Sequence, residues 1–463
     1  MKHNLLFFLF LTIPLLHGCS ASQEVDSEVQ ELQSALEKSL KENLLDTWYP
    51  KAVDWEAGGY FSDFTFDFEL KNSPQEKMIV TQSRHLWSNS KAAMLYPDEE
   101  HFISAAEHGF QFLKEKMWDK EIGGFFQLVD RAGNPLLEKS PLKTAYGNSF
   151  GIYALAAYFG ATGDSAGLDL AIKAFHWLEA NSHDPVHKGY FQHLDQQGNP
   201  VERKSDTPST SDLGYKDQNS SIHLLEAFTE LYHVWKDPLL KKRLEEMLLL
   251  VRDTITHDKG YLVLFFESDW MPVSFQDADR ATILAHKHLD HVSFGHDVET
   301  GFLLIESAHA LGWGDDKKTI SKAKKMIDHA LGHGWDSEVG GFFDEGYYFE
   351  DGVPEVIKDS KNWWAQAEGM NALLVLSTYF PEDKKDYYGK FRQQWDYIQN
   401  YLIDHEYGDW YPGGLDKQPE MKTADKGHIW KANYHQLRAM AHSIKVLADE
   451  SKRQKSLTPL KSG

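Results

Sequence analysis

The sequence predicts an all-α fold: an (α/α)6 barrel of twelve helices, with short β-hairpins walling one pole. Three observations predict it. A Gly-aromatic turn flanked by Trp-Asp or His-Asp recurs six times along the chain. Successive turns lie about 65 to 80 residues apart, room for two helices in each interval. Every second helical segment is apolar on nearly all faces, and such a helix is a buried one. Residues 29–448 show no Pro/Ser linker, low-complexity run or shift in composition. A chain of that length ordinarily divides into domains, and a closed ring of repeats avoids the division.

The turns are Asp54–Phe61, Trp118–Phe126, His183–Phe191, His257–Leu262, Trp335–Phe343 and His405–Tyr411. Further turn signals follow at 132–135, 197–200 and 351–354. Gly and Asn between aromatic or β-branched residues read as small hairpins. Between them, apolar periodicity places helices near 30–48, 79–96, 99–117, 143–161, 165–181, 214–235, 238–256, 290–312, 317–333, 361–379, 386–403 and 425–448. The odd-numbered helices carry an apolar stripe on a charged surface. Leu240, Leu244, Met247, Leu248, Val251 and Ile255 keep the three-to-four rhythm, with Lys241, Lys242, Arg243, Glu245 and Glu246 between them. The even-numbered helices are small and apolar throughout, as in 150–160, and form the inner ring.

The ends of the chain read differently. Residues 1–18 fit a lipoprotein signal peptide: Lys2 is its basic start, Leu5–Leu16 its apolar core, and Leu16-His17-Gly18-Cys19 its cleavage site. The apolar stretch is too short to span a bilayer. Cys19 is the only cysteine among 463 residues, enough for a lipid anchor and too few for a disulfide. Residues 19–28 then serve as a tether, 29–448 as the barrel, and 449–463 as a basic, disordered tail. The expected location is outside the cytoplasm, lipid-anchored to the bacterial cell envelope, with Ser20 pointing to the outer membrane. Cys19 is then the sole contact with a membrane.

A net charge of −22, from 48 basic against 70 acidic residues, argues against nucleic acid or phosphorylated anions as partners. Aromatics make up 13%, including 14 Trp and 20 Tyr, which suits stacking on sugar rings. The chain has no Gly-rich phosphate loop, and neither cofactor nor metal is expected.

In a barrel of alternating direction all inner helix N-termini meet at one pole. There the first turns carry Arg84 and Trp87; Tyr146 and Asn148; Asp217, Asn219 and His223; His296 and Glu299; Trp363, Trp364, Gln366 and Glu368; and Trp430, Lys431 and His435. The sharpest stretch is 293–299, Ser-Phe-Gly-His-Asp-Val-Glu, which opens a helix with no polar side. Burying such groups without partners costs about 1–3 kcal/mol each. A single histidine of this kind is more often a satisfied core residue. His223, His296 and His435 at one depth on three helices read as a site. His101, His108, His257 and His333 fall on outer helices or turns. Converging N-termini would also present N–H groups to a developing oxyanion.

These segments resemble the N-acylglucosamine 2-epimerase superfamily, most closely its cellobiose/mannobiose 2-epimerase branch. The likeness runs over about 30–448 and rests on TQSRHLW, TAYGNSFGIYAL, KDQNSSIHLLEAFTELY, SFGHDVE, WWAQAE and WKANYHQLR. It implies that His296 and His435 exchange the C2 proton, and that His223 and Arg84 hold the O1/O2 region. It implies that Trp364 and Trp410 sandwich a disaccharide. The chain departs from the branch at Ala432-Asn433, where Cys-Pro is common, and at Ser220-Ser221.

Inverting C2 of an aldose needs a base on each face of the carbon, and histidine holds and releases a proton near neutrality. Glu299 is expected to orient His296. Tyr146, Asp217, Asn219, Trp363, Trp364, Glu368 and Trp410 are expected to hold the sugar. The reaction expected is 2-epimerisation of the reducing end of a β-1,4 disaccharide. An aldose–ketose isomerase of the mannose type stays open. A glycoside hydrolase would need two opposed carboxylates drawn from Asp217, Glu299 and Glu368, leaving the histidines idle. A tethered sugar-binding protein would keep the aromatics and not need the histidines. A His/Glu metal site is a further alternative.

Overall fold

The computed structural model describes residues 18–457 apart from 315 and 351. All twelve expected helices are there, in order. Helix α1 runs Gly18–Lys38 and continues through a wider π-helical stretch, Ser39–Leu45, to Asp46–Trp48. Next come α2 (Ile79–Leu95), α3 (Glu100–Phe112, with the π-turn Leu113–Met117), α4 (Ala145–Thr162) and α5 (Ser165–Asn181). They are followed by α6 (Gln218–Val234), α7 (Pro238–Leu250, with Val251–Ile255), α8 (Phe294–Ala310) and α9 (Lys317–His333). The last three are α10 (Trp363–Tyr379), α11 (Tyr387–Tyr401) and α12 (Tyr434–Leu457). A short helix not expected from the sequence, Arg280–His286, lies in the long connection before α8.

The inner ring closes: α2 packs on α4, α4 on α6, α6 on α8, α8 on α10, α10 on α12, and α12 back on α2. Burial follows the periodicity. Helix α4 is buried from Ala145 to Tyr158 without a break, whereas α9 buries only one stripe, including Ala323, Met326, Ile327 and Ala330.

Each expected turn forms a tight hairpin with one bridging pair: Val53–Tyr60, Trp118–Phe125, His183–Tyr190, Thr256–Leu262, Trp335–Phe342 and Ile403–Trp410. Five are clamped the same way. A lysine from the segment before an inner helix donates to the turn's aspartate: Lys77 to Asp54, Lys143 to Asp119, Lys216 to Asp184, Lys361 to Asp336 and Lys426 to Asp404, at 2.7–3.0 Å. The same ammonium caps a carbonyl of the turn, for example Gly123 at 2.6 Å and Gly408 at 2.9 Å. The aspartate's other oxygen accepts turn N–H groups, as Asp119 does from Glu121 and Ile122. The fourth repeat differs. Val292 takes the lysine's register, while Asp297 of α8 accepts from the N–H of Leu262 at 2.8 Å, as Gln82, Asn148 and Gln366 accept from Tyr60, Phe125 and Phe342 in clamped repeats.

Three boundaries differ from expectation. Helix α12 starts at Tyr434 rather than near 425, because the preceding residues are committed elsewhere: Gly427 pairs with Phe64 to close the ring, and Lys426 and Lys431 bind Asp404 and Asp409. The segment 449–457, expected to be disordered, continues α12 as helix, having no Gly or Pro to stop it. The tether 19–28 is likewise helical, as the start of α1. Of the expected signal peptide, 1–17 lies outside the described residues. Among the described residues no helix is long and apolar enough to cross a membrane.

Candidate active site

A cavity of about 200 Å³ opens at the pole where the inner N-termini meet. Its wall is Arg84, Tyr146, Asn219, His223, His296, Glu299, Trp363, Trp364, Trp430 and His435. These ten come from all six inner helices or the residues just before them. A larger groove, about 560 Å³, lies outside the barrel between α1 and the turn at 405–408; it contains no inner-helix side chain.

Each histidine has its Nδ1 fixed. In His296 it lies 2.7 Å from the hydroxyl of Ser293, in His223 2.8 Å from Glu226, and in His435 2.7 Å from Glu368. The Trp364 ring sits between two of them, 4.7 Å from the His296 ring and 5.9 Å from that of His435. Burial, with His223 and His291 nearby, pushes His296 down to about 3. Burial, reinforced by Arg84 and Arg438, holds His435 well below the usual imidazole range. Both are therefore neutral bases at neutral pH.

Arg84 donates to the carbonyl of Trp430 at 2.9 Å and to the Tyr146 hydroxyl at 3.2 Å, and it lies over the Phe150 ring. Its guanidinium is thus held rigid at the wall.

Behind the cavity lies a buried network centred on Arg438. It donates to Glu299 and to Glu368, both at 2.6 Å, and to Glu226. The Tyr434 hydroxyl also donates to Glu226. Burial opposes charge on Glu226, but Arg438, His223 and Tyr434 outweigh it and hold the carboxyl at about 2. Glu368 goes the other way. Burial, with Glu299 beside it, pushes it up to about 8 against the pull of Arg438. Its Oε2 is buried with no hydrogen-bond partner, a position less costly for a neutral carboxyl than for a carboxylate. Glu299, Glu368 and His435 lie close enough to share a cation. Arg438 already donates to both carboxylates and supplies the positive charge there.

Nine of the twelve expected site residues reach the cavity wall; Asp217, Glu368 and Trp410 do not. Asp217 caps α6, accepting from the N–H of Ser220 at 2.6 Å. Glu368 is fully buried behind His435 and Arg438, so it holds a histidine rather than sugar hydroxyls. Trp410 is fully buried at the base of its hairpin, whereas Trp430, 48% exposed, lies on the cavity wall. Glu299 binds Arg438, and Ser293 orients His296 in its stead. Sequence reasoning missed Arg438, Tyr434, Glu226 and Ser293 as parts of the site. Arg438 carried a signal: it sits three residues after His435 on a helix with few other charges facing inward.

Fold, site and relatives together make this chain an enzyme, a carbohydrate isomerase/epimerase. It is similar to the cellobiose 2-epimerase of Bacteroides fragilis, 29% identical over 418 residues that cover 87% of this chain and 96% of the relative. The structure of cellobiose 2-epimerase from Spirochaeta thermophila superposes with a TM-score of 0.77 at 29% identity, covering 92% of this chain and 98% of that one. A D-mannose isomerase of Marinomonas mediterranea is 25% identical over 88% of this chain and 95% of its own length. The sequence model of the N-acylglucosamine 2-epimerase family matches residues 59–439, and the chain belongs to that family.

Proposed function

We propose that this protein inverts C2 of the reducing-end aldose of a β-1,4 disaccharide of the cellobiose or mannobiose type. The observation that carries the reading is the pair His296 and His435, both against Trp364, each with Nδ1 engaged by protein so that the chemistry falls to Nε2. Once the ring has opened, neutral His296 takes the C2 proton. The enediolate is held by Arg84 and His223 at O1 and O2. His435 returns a proton from Nε2 to the other face while Nδ1 receives the proton of Glu368. The carboxylate left on Glu368 is stabilised by Arg438. In the reverse direction the roles exchange. Trp363, Trp364 and Trp430 offer stacking faces to the sugars, and Asn219 a hydrogen-bonding amide whose buried oxygen has no protein partner.

A second reading, favoured by the D-mannose isomerase relative, returns the proton to C1 and yields a ketose. Chromatography of the products from cellobiose, mannobiose and mannose separates the two. An epimeric aldose supports the first reading; a ketose supports the second and defeats the first. Released monosaccharide would instead mean hydrolysis.

The export signal and Cys19 support a further element of this reading, a lipid-anchored protein of the cell envelope. A clickable fatty acid should label the full chain and not Cys19→Ser. Equal labelling of the two would contradict the anchor.

A further inference from the structure

Helices α1 and α12 are longer than the others of their rings, and both surpluses fall at one pole. Helix α12 starts at the mouth, with His435 in the cavity wall, and has 24 residues against 17 in α6, α8 and α10. The excess carries it about 10 Å past its neighbours at the opposite pole. Helix α1 runs the other way, in the outer ring, and ends at Trp48 just ahead of the first hairpin at the mouth. Its three segments hold 21, 7 and 3 residues, against 13 and 5 in α3. It therefore begins about 20 Å beyond the level at which α3 begins. Glu28 marks the pole itself, because it pairs with Arg392 in the second turn of α11, an outer helix that starts there. Residues 18–27 of α1 lie past that level, and α1 packs against α12.

Two features place a bilayer at this end. Cys19, the single cysteine, is the second residue of α1. Lys452, Arg453 and Lys455 fall in the last two turns of α12, and 451–463 carries four basic residues and no acidic one in a chain of net charge −22. Anionic phospholipid headgroups attract a basic segment of this kind.

We propose that the pole opposite the cavity is a membrane-docking face: the ends of α1 and α12 seat on anionic phospholipid and turn the mouth to the aqueous side. The proposal rests on the lipid anchor at Cys19 proposed above, and adds headgroup contact to it. The link from anchor to barrel is helix continuous with α1. Residues 20–28 span about 14 Å, whereas the mouth lies about 30 Å from Glu28 along α1, so the link cannot bring the mouth down to the membrane. The cavity then draws on dissolved sugars and not on glycans attached to the same membrane.

The test uses the full-length, acylated protein. Its one cysteine carries the lipid, so an introduced cysteine takes a single fluorophore. Met94, 55% exposed at the end of α2, reports on the docking pole, and Val186, 76% exposed in the third hairpin, reports on the mouth. Met94→Cys and Val186→Cys are reconstituted on phosphatidylglycerol vesicles that contain a rhodamine-labelled lipid as energy-transfer acceptor. Transfer should be strong from position 94 and weak from 186, the first label lying about 25 Å nearer the acceptor plane. Equal transfer from the two, or more from 186, would overturn the orientation. Replacing Lys452, Arg453 and Lys455 together by Gln should lower transfer from position 94 to the value found on phosphatidylcholine vesicles. Transfer already equal on the two lipids before that replacement would overturn the headgroup contact. Protein that stays in solution with both vesicles would overturn the anchor itself, and the docking with it, a failure seen by sedimentation before any label is read.

Discussion

His296 and His435 differ in what stands behind them, and the difference is measurable. Ser293 fixes His296 without exchanging a proton at neutral pH, whereas Glu368 can give one to His435. Asn in place of either histidine keeps a polar side chain but removes the base, and turnover should fall by at least about 10²–10⁴-fold with the fold intact. In Glu368→Gln the pair can no longer store a proton. The wild-type kcat should fall as pH rises through about 8, where Glu368 gives up its proton. That alkaline limb should be missing from Glu368→Gln, whose kcat is low throughout. A steady-state pH profile of the two proteins checks both points. The histidines were legible in the sequence because each breaks an apolar helix at the same depth. Their partners were not. Glu226, Glu299, Glu368 and Arg438 come from four helices spread over 213 positions, and only the closed ring shows that one guanidinium serves all three carboxyls.

At the scale of elements, the lysine–aspartate clamps set the hairpins against the inner helices and so shape the cavity mouth. Removing one partner of such a buried pair leaves the other charged and unpaired, which costs about 3–5 kcal/mol. Lys143→Met strands Asp119 and the Gly123 carbonyl, and urea denaturation should show a loss in that range. The fourth hairpin has no clamp, so its backbone amides near Thr256–Leu262 should exchange with solvent faster than those near Trp118–Phe125. The helices were readable from periodicity alone, since α7 and α9 keep one apolar stripe and α4 keeps none. The start of α12 was not, because the residues before it are held by the first and last hairpins, contacts invisible until the ring closes. The clamps were hidden for a related reason. Each lysine lies 22 to 32 residues from its aspartate, past a whole hairpin and connection.

For the whole molecule, the buried charges of the axis set how stability varies with pH. Glu368 and Glu306 bind protons more tightly folded than unfolded, so stability falls as pH rises from about 4.5 toward 7 and 8. His296 acts in the opposite sense: its depressed value makes stability rise as pH goes from about 3 to 6.5. Glu226, held near 2, adds stability that is lost only as pH drops below about 4.5. The terms oppose one another below 6.5, and above it only the loss remains. Thermal melts should therefore decline between pH 6.5 and 8, and less so in Glu368→Gln. The ring that creates this buried axis was legible as six repeats, while the continuation of α12 to Leu457 was not, because a polar helix has no apolar period to read.

The central claim is that C2 of the sugar loses and regains its proton between His296 and His435. Proton NMR of cellobiose and mannobiose turned over in D2O tests it most directly. An epimeric disaccharide carrying deuterium at C2 of its reducing sugar, formed by the wild type and by neither His296→Asn nor His435→Asn, is the expected result. An epimer that keeps its original C2 hydrogen, or one that either variant forms at the wild-type rate, would contradict it.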